Sequence, residues 1–379
     1  MDGNIKGITI LGSTGSVGTQ AIEVVKQFPD KLKIIGLAAK SSHTKLSQQI
    51  QQISPLMVYW DKSQNSDTIM TKYEKLYSEI PDLCTNQNVD IVLTATTGVT
   101  SIYPTIQAIR SGKNIALANK ESIIIAGEHI ISEAEKHSVE ILPLDSEPNA
   151  IWQCIQGEKP EINRVFITSS GGSLRSKPLE MLGESTVEET LKHPNWAMGP
   201  KITVDSATLM NKVFEVVEAK WLFNIPWEKI DVIVHHQSKI HSMVEFVDGS
   251  IKAQIGPSDM KLPIQYALLY PDRFKNPSIN KFNPLENQTL TFEEIDQRRY
   301  PCFELGIETA KKGKTWPAVL CGANEGAVEL FLTGKIKFSE IFTILNNVIK
   351  KHIPTQSPSL SDMMSTFQNA YIEAINSKV

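Results

Sequence analysis

The sequence predicts an α/β protein in three parts: a doubly wound parallel-sheet domain, a central α+β domain and a C-terminal helical domain. Three observations carry this. Short apolar runs alternate with helix-period segments up to residue 144. Beyond Asp145 strand-like runs follow a polar stretch and a helix. From Pro301 to the end the pattern is mostly helical. A chain of 379 residues is long enough to bury two or three cores.

In the first part, strands are expected at 7–11, 32–37, 56–59, 89–93, 114–118 and 140–142, with helices at 16–28, 44–52, 101–111 and 121–137. A strand at 164–168 then runs into Ser169-Ser170-Gly171-Gly172, a turn signal. Residues 183–200 lack periodicity and read as a mobile lid loop. One helix is expected over 206–221, then strands at 231–234, 241–247 and 251–255. A Pro- and Asn-rich stretch makes 272–300 a linker. The expected division is therefore 1–144, 145–271, the linker and 301–379.

Hydrophobic residues make up 41% and charged residues 21%, as in a globular protein, and the net charge of −4 gives no support to a nucleic-acid or anionic-membrane surface. The four cysteines are far apart and form no CxxC pair, against a disulfide scaffold or a structural zinc site. No targeting segment and no apolar run near about 18 residues is visible, so a cytoplasmic location without a membrane partner is expected.

The first strand ends in Gly12-Ser13-Thr14-Gly15-Ser16-Val17-Gly18, which opens a helix. Glycines admit a pyrophosphate close to the backbone, and the helix start offers unpaired N–H groups and a positive dipole end. In this strand–turn–helix setting the segment reads as a Rossmann-like dinucleotide site. An NAD site usually carries an acid at the end of strand two; here the residues are Ala38-Ala39-Lys40-Ser41-Ser42. Lys40 and Ser41 suit a 2′-phosphate and favour NADPH, the alternative being that Lys40 is a solvated loop charge. Asn119, Lys120 and Glu121 follow strand five and are placed to line the cofactor–substrate boundary, or Asn119 caps the next helix.

Four acids suggest a metal site: Asp145 and Glu147 after an apolar segment, and Glu215 and Glu218 at i and i+3 on the expected helix. Hard carboxylate oxygens suit Mg²⁺ or Mn²⁺. Taken alone, Glu215 and Glu218 also fit a solvated helix face. Ser170, Ser206, Asn211 and Lys212 supply hydroxyl, amide and cation for a phosphate. Trp196, in a polar loop, either covers a ligand or anchors the loop on the core. His235, His236 and His241 do not have zinc-ligand spacing.

These segments resemble the 1-deoxy-D-xylulose 5-phosphate reductoisomerase family. The likeness rests on Gly12–Gly18, Ala118–Ser122, Leu144–Ala150, Ser170–Gly172, His193–Gly199, Val204–Lys212, much of 237–244, and Asn324-Glu325, spread over essentially the whole chain. The resemblance implies a homodimer with an NADPH domain, a metal-dependent catalytic domain and a helical domain. It also implies rearrangement of a sugar phosphate followed by reduction. Residue by residue, it implies Asp145, Glu147 and Glu215 as metal ligands, with Glu218 a possible fourth. Lys120, Ser146, Glu147, Ser170, His193, Trp196, Ser206, Asn211, Lys212 and Glu215 meet the substrate, with Lys120 and Glu147 catalytic. Gly12, Ser13, Thr14, Gly15, Ser16, Val17, Lys40, Ser41, Asn119, Glu121 and Gly199 meet the cofactor. The chain departs from the family pattern at Val213-Phe214, usually Gly-Leu, at His236, usually Pro, and at Ala39-Lys40-Ser41. Two other readings stay open: a different NADP-dependent oxidoreductase of phosphorylated polyols, and a silent NADP sensor.

Overall fold

The computed structural model describes residues 5–63, 68–158, 161–196 and 198–377. The described residues gather into two compact units. One comprises Met1–Ser122, Glu128–Asn149 and Asp259–Asn280; the other comprises Ile123–Gly127, Ala150–Ser258 and Lys281–Val379.

The first unit is built on a parallel sheet of β1 (Lys6–Leu11), β2 (Leu32–Ala39), β3 (Met57–Trp60), β4 (Ile91–Thr94), β5 (Asn114–Leu117) and β6 (Ile141–Pro143). The strand order is β3-β2-β1-β4-β5-β6. Chain direction across the sheet reverses between β1 and β4, which opens a crevice at their carboxyl ends. Runs such as Ile8–Leu11 are buried throughout, as strands covered on both faces must be. The α/β expectation is borne out. One helix, Lys261–Leu269, was not expected: Pro263 reads as a breaker in sequence but sits in the first turn, where its missing N–H costs nothing. This helix packs against β6 and the helix Ser16–Gln27, returning a distant segment to the first unit.

The second unit contains a mixed sheet of β7 (Ile162–Ser169), β8 (Ile230–Val234), β9 (Ile240–Phe246) and β10 (Ile251–Ile255), ordered β10-β9-β7-β8. Ile151, Val165, Ile167, Val216, Ala219 and Val244 form a core against it. Each large aliphatic side chain so buried contributes roughly 1.5–3 kcal/mol. Ile151 comes from the helix Ser146–Ile155, which sequence pattern did not reveal.

The single helix expected over 206–221 is two, Pro200–Thr208 and Met210–Phe223. Leu209 lies between them with φ 58°, and Thr208 Oγ1 accepts the Met210 N–H at 3.3 Å. Local side-chain bonding has replaced one rung of the helix. Residues 183–200 carry a short helix, Val187–Thr190, closed by a Thr186/Glu189 capping box; Ala197 lies outside the described residues. The 272–300 stretch is divided: up to Asn280 it belongs to the first unit, and later Glu293 forms an antiparallel bridge with Val234. The C-terminal helices Pro301–Lys311, Trp316–Leu332, Phe338–Lys351 and Leu360–Ile375 share the second unit with the mixed sheet.

Candidate active site

The nucleotide turn comes first. Gly12 and Ser13 N–H groups both donate to Ala38 O at 2.9 Å, tying the turn to the end of β2. Gly18 has no room for a side chain: a Cβ there would lie 2.3 Å from Gly12 O. Gly15 caps the helix Ser16–Gln27, whose first N–H groups, Ser16 and Val17 among them, face outward from the helix start. Ser13 is fully buried, and its hydroxyl donates to Gln49 Oε1 at 2.8 Å. Sequence reasoning missed Lys45, whose Nζ donates to Thr14 O at 2.8 Å. Its helical spacing from the end of β2 was the available signal. Lys40 and Ser41 are exposed at that strand end.

Asn119 caps the helix Lys120–His137, with Oδ1 accepting the Ser122 N–H at 2.7 Å. Its Nδ2 donates to Thr96 O at 2.7 Å, Gly98 O at 3.0 Å and Glu121 Oε2 at 3.2 Å. The capping alternative is therefore present, and the same side chain fixes the loop after β4.

Lys120, buried, pairs with Asp145 directly. Ser146 Oγ donates to Glu147 Oε2, and both residues are buried. Asp145 precedes the helix Ser146–Ile155 and its carbonyl accepts the Asn149 N–H at 2.9 Å. Asn149 Nδ2 donates to Pro143 O at 2.8 Å, so β6 and the helix start are held together. Two carboxylates thus sit at a helix N-terminus, where the dipole favours negative charge.

In the second unit, Glu215 and Glu218 are each only 1% exposed, which removes the solvated-face alternative. Lys212 Nζ donates to Glu215 Oε2 and Asn211 Nδ2 to Oε1, both at 2.6 Å. A buried carboxylate with a lysine and an amide on its two oxygens is held in one orientation. The Val213-Phe214 departure has a packing explanation. Gly306 leaves space for Val213, whose Cγ2 would lie 2.8 Å from a Cβ there. Lys201 Nζ lies 5.1 Å from the Phe214 ring centre. Lys201 also pairs with buried Asp205 at 2.9 Å, and Asp205 accepts from Asn324 Nδ2 at 2.8 Å. This gives the Asn324 segment a structural task, fastening the helix that carries Ser206.

Ser170 follows β7. Its Oγ lies 3.0 Å from His193 Nε2 and accepts the Gly172 N–H at 3.1 Å. His193 Nδ1 accepts N–H groups from Asn195 at 3.2 Å and Trp196 at 2.9 Å. The neutral ring proton therefore belongs on Nε2, which donates to Ser170. With both lone pairs engaged, the Ser170 hydroxyl is set to donate its own proton to an anion. A Cβ on Gly172 would lie 2.6 Å from Ser206 O, so the Ser170 turn lies directly against the buried Ser206. Trp196 sits 5.8 Å from the His241 ring, and Asn195 Nδ2 donates to His236 O at 2.8 Å, which anchors this segment. Gly199 caps the helix Pro200–Thr208, its carbonyl accepting Thr203 Oγ1 at 2.8 Å.

His235 is structural. Nδ1 lies 2.9 Å from Thr291 O, and Nε2 accepts the Lys239 N–H at 3.2 Å, a pattern only neutral imidazole satisfies. Burial lowers its pKa from the ordinary 6.5. The unfolded chain then binds a proton that the fold refuses. Stability is complete above about pH 6.5 and declines as pH falls toward the lower folded value. Thermal melting against pH should show a shallower acid-side decline in His235→Gln; identical slopes would contradict this.

A nucleotide crevice of this topology, joined in one chain to buried, lysine-held carboxylates, defines a dinucleotide-dependent oxidoreductase that works with a divalent cation. Three family models match: 1-deoxy-D-xylulose 5-phosphate reductoisomerase over residues 8–127, its C-terminal domain over 141–223, and the DXP reductoisomerase C-terminal domain over 255–371. The chain belongs to the 1-deoxy-D-xylulose 5-phosphate reductoisomerase family. It is 44% identical to the enzyme of that name from Pelotomaculum thermopropionicum over 95% of both chains. It is 43% identical to that from Halalkalibacterium halodurans, over 96% of this chain and 97% of the other. Among solved structures, the Zymomonas mobilis reductoisomerase in complex with NADPH aligns with a TM-score of 0.90, 35% identity and 98% of both chains. A reductoisomerase in complex with NADPH, fosmidomycin and magnesium aligns with a TM-score of 0.91 and 32% identity, over 98% of this chain and 97% of that one.

Proposed function

We propose that the protein rearranges and reduces 1-deoxy-D-xylulose 5-phosphate to 2-C-methyl-D-erythritol 4-phosphate, within the non-mevalonate isoprenoid pathway, using NADPH and Mg²⁺ or Mn²⁺. The observation that carries this reading is the buried Glu215 carboxylate between Lys212 and Asn211, in a chain that also has a dinucleotide turn. A nucleotide sensor needs no such acid.

We assign Asp145, Glu147 and Glu215 to the ion, with the buried Glu218 as a second-rank acid. The all-carboxylate donor set fits a hard cation. Such an ion, when bound, acts as a Lewis acid on substrate oxygens. The protein's own groups do the rest. Ser170, Ser206, Asn211 and Lys212 bind the phosphate, the Ser170 hydroxyl being aimed by His193. Lys120 and Ser146 orient the substrate beside Asp145 and Glu147, and Glu147 transfers a proton. Trp196 shields the bound substrate from water. Gly12 to Val17, Lys40, Ser41, Glu121 and Gly199 contact NADPH, and Asn119 holds the loop beside it.

The reading includes a cytoplasmic homodimer. Support comes from β10, an edge strand with Ile251 and Ile255 51% and 43% exposed and neighbouring Val247 62% exposed. A second copy would cover these apolar groups. A monomer by sedimentation at working concentration would remove that element. The activity itself is tested by NADPH consumption on adding the sugar phosphate with Mg²⁺ present. Robust consumption supports the reading, and none at all overturns it.

A further inference from the structure

The parallel register of β2 with β3 pairs Ala38 with Tyr59 and Ala39 with Trp60. The next residues on the two strands, Lys40 and Asp61, therefore leave the sheet as neighbours. Both line a cavity of about 300 Å³ at the carboxyl ends of the strands, together with Gly12, Tyr59 and Thr100. Gly12 places this cavity beside the nucleotide turn, where the adenosine half of a dinucleotide lies.

Asp61 is an ordered anion. Its Oδ1 accepts the Ser63 N–H at 3.0 Å and the Ser63 hydroxyl at 2.6 Å. These bonds, helped by the nearby Lys40 charge, hold its carboxyl below the usual range. Among the described residues Oδ2 has no hydrogen-bond partner, so it is available to a ligand.

We propose that Asp61 is a cofactor-specificity residue that favours an unphosphorylated ribose and so narrows the preference for NADPH over NADH. The inference rests on the nucleotide reading above. A ribose 2′-hydroxyl donates to a carboxylate, whereas a 2′-phosphate is repelled by it and drawn to Lys40. The two side chains read one ribose position in opposite senses. The end of β2 lacks the acid of an NAD site, but strand pairing supplies one from β3.

The test is calorimetric titration of the whole protein with adenosine 2′,5′-bisphosphate and with adenosine 5′-monophosphate, in the unaltered protein and in Asp61→Asn. The affinity ratio should rise about five-fold in favour of the bisphosphate in the variant. Asp61→Ser, which removes the charge without the amide, should move it the same way, and Lys40→Gln should move it oppositely. The ratio of kcat/KM for NADPH over NADH should follow the same order. A ratio unchanged in both Asp61 variants, with both ligands still bound, overturns the role of Asp61 alone. Failure of both ligands to bind the unaltered protein overturns the nucleotide reading with it.

Discussion

Glu215→Gln should lower kcat by about 1,000-fold or more while leaving NADPH affinity within about two-fold. The substitution keeps the shape of the side chain and an oxygen for Asn211 Nδ2, but it removes the negative charge that faces Lys212 at 2.6 Å. Two consequences follow. The proposed ion loses one of three anionic ligands, and the buried Lys212 loses its counter-charge. Breaking a buried pair from one side destabilises by about 3–5 kcal/mol in typical cases. Mg²⁺ should therefore raise the melting temperature of the unaltered protein but not that of the variant. The residues this reading assigns to the nucleotide, chiefly the turn after β1 and the end of β2, lie on other elements, so NADPH fluorescence titration should be nearly unaffected. Equal losses of turnover and of NADPH binding would show that Glu215 only supports the fold.

Gly18→Ala should give the reverse pattern. The added methyl would lie 2.3 Å from Gly12 O and 2.7 Å from Ser13 Cα, both backbone atoms. Neither can rotate aside, so the helix Ser16–Gln27 must move off the turn. Overpacking of this kind costs about 1–3 kcal/mol. The displaced atoms include the helix-start N–H groups that this reading sets against the pyrophosphate, and NADPH affinity should fall about 100-fold, or about 3 kcal/mol. Metal binding, followed through Mn²⁺ paramagnetic resonance, should persist. Unchanged NADPH affinity would mean that the Gly12–Gly18 turn is only a connector.

Much of this was legible in the sequence, because the signals were local. Alternation of apolar runs gave the six parallel strands, and the glycine spacing gave the turn. The acids at 145, 147, 215 and 218 were visible as types and spacings. Burial was not visible: the same i, i+3 pair fits a wet surface until neighbouring elements cover it. The break at Leu209 was hidden because the apolar pattern runs through it without Gly or Pro. The helix at 261–269 was hidden by Pro263, which reads as a breaker unless its place in the first turn is known. Asn119 looked like either a ligand contact or a cap; the cap is the local bond from Ser122 N–H to its Oδ1, while its bonds to Thr96 and Gly98, more than twenty residues away, were not visible in the sequence. Lys45 and Asp61 were overlooked because their meaning depends on which strand ends adjoin.

The central claim is that one chain couples a metal-held rearrangement of a sugar phosphate to reduction by NADPH. Its most direct test is a single reaction on metal-stripped protein, with 1-deoxy-D-xylulose 5-phosphate and NADPH present, followed by nuclear magnetic resonance before and after adding Mg²⁺. The account predicts no change before the metal. After it, 2-C-methyl-D-erythritol 4-phosphate should appear in step with NADPH loss, one for one. Turnover that ignores the chelator, or NADPH loss without the branched product, would contradict it.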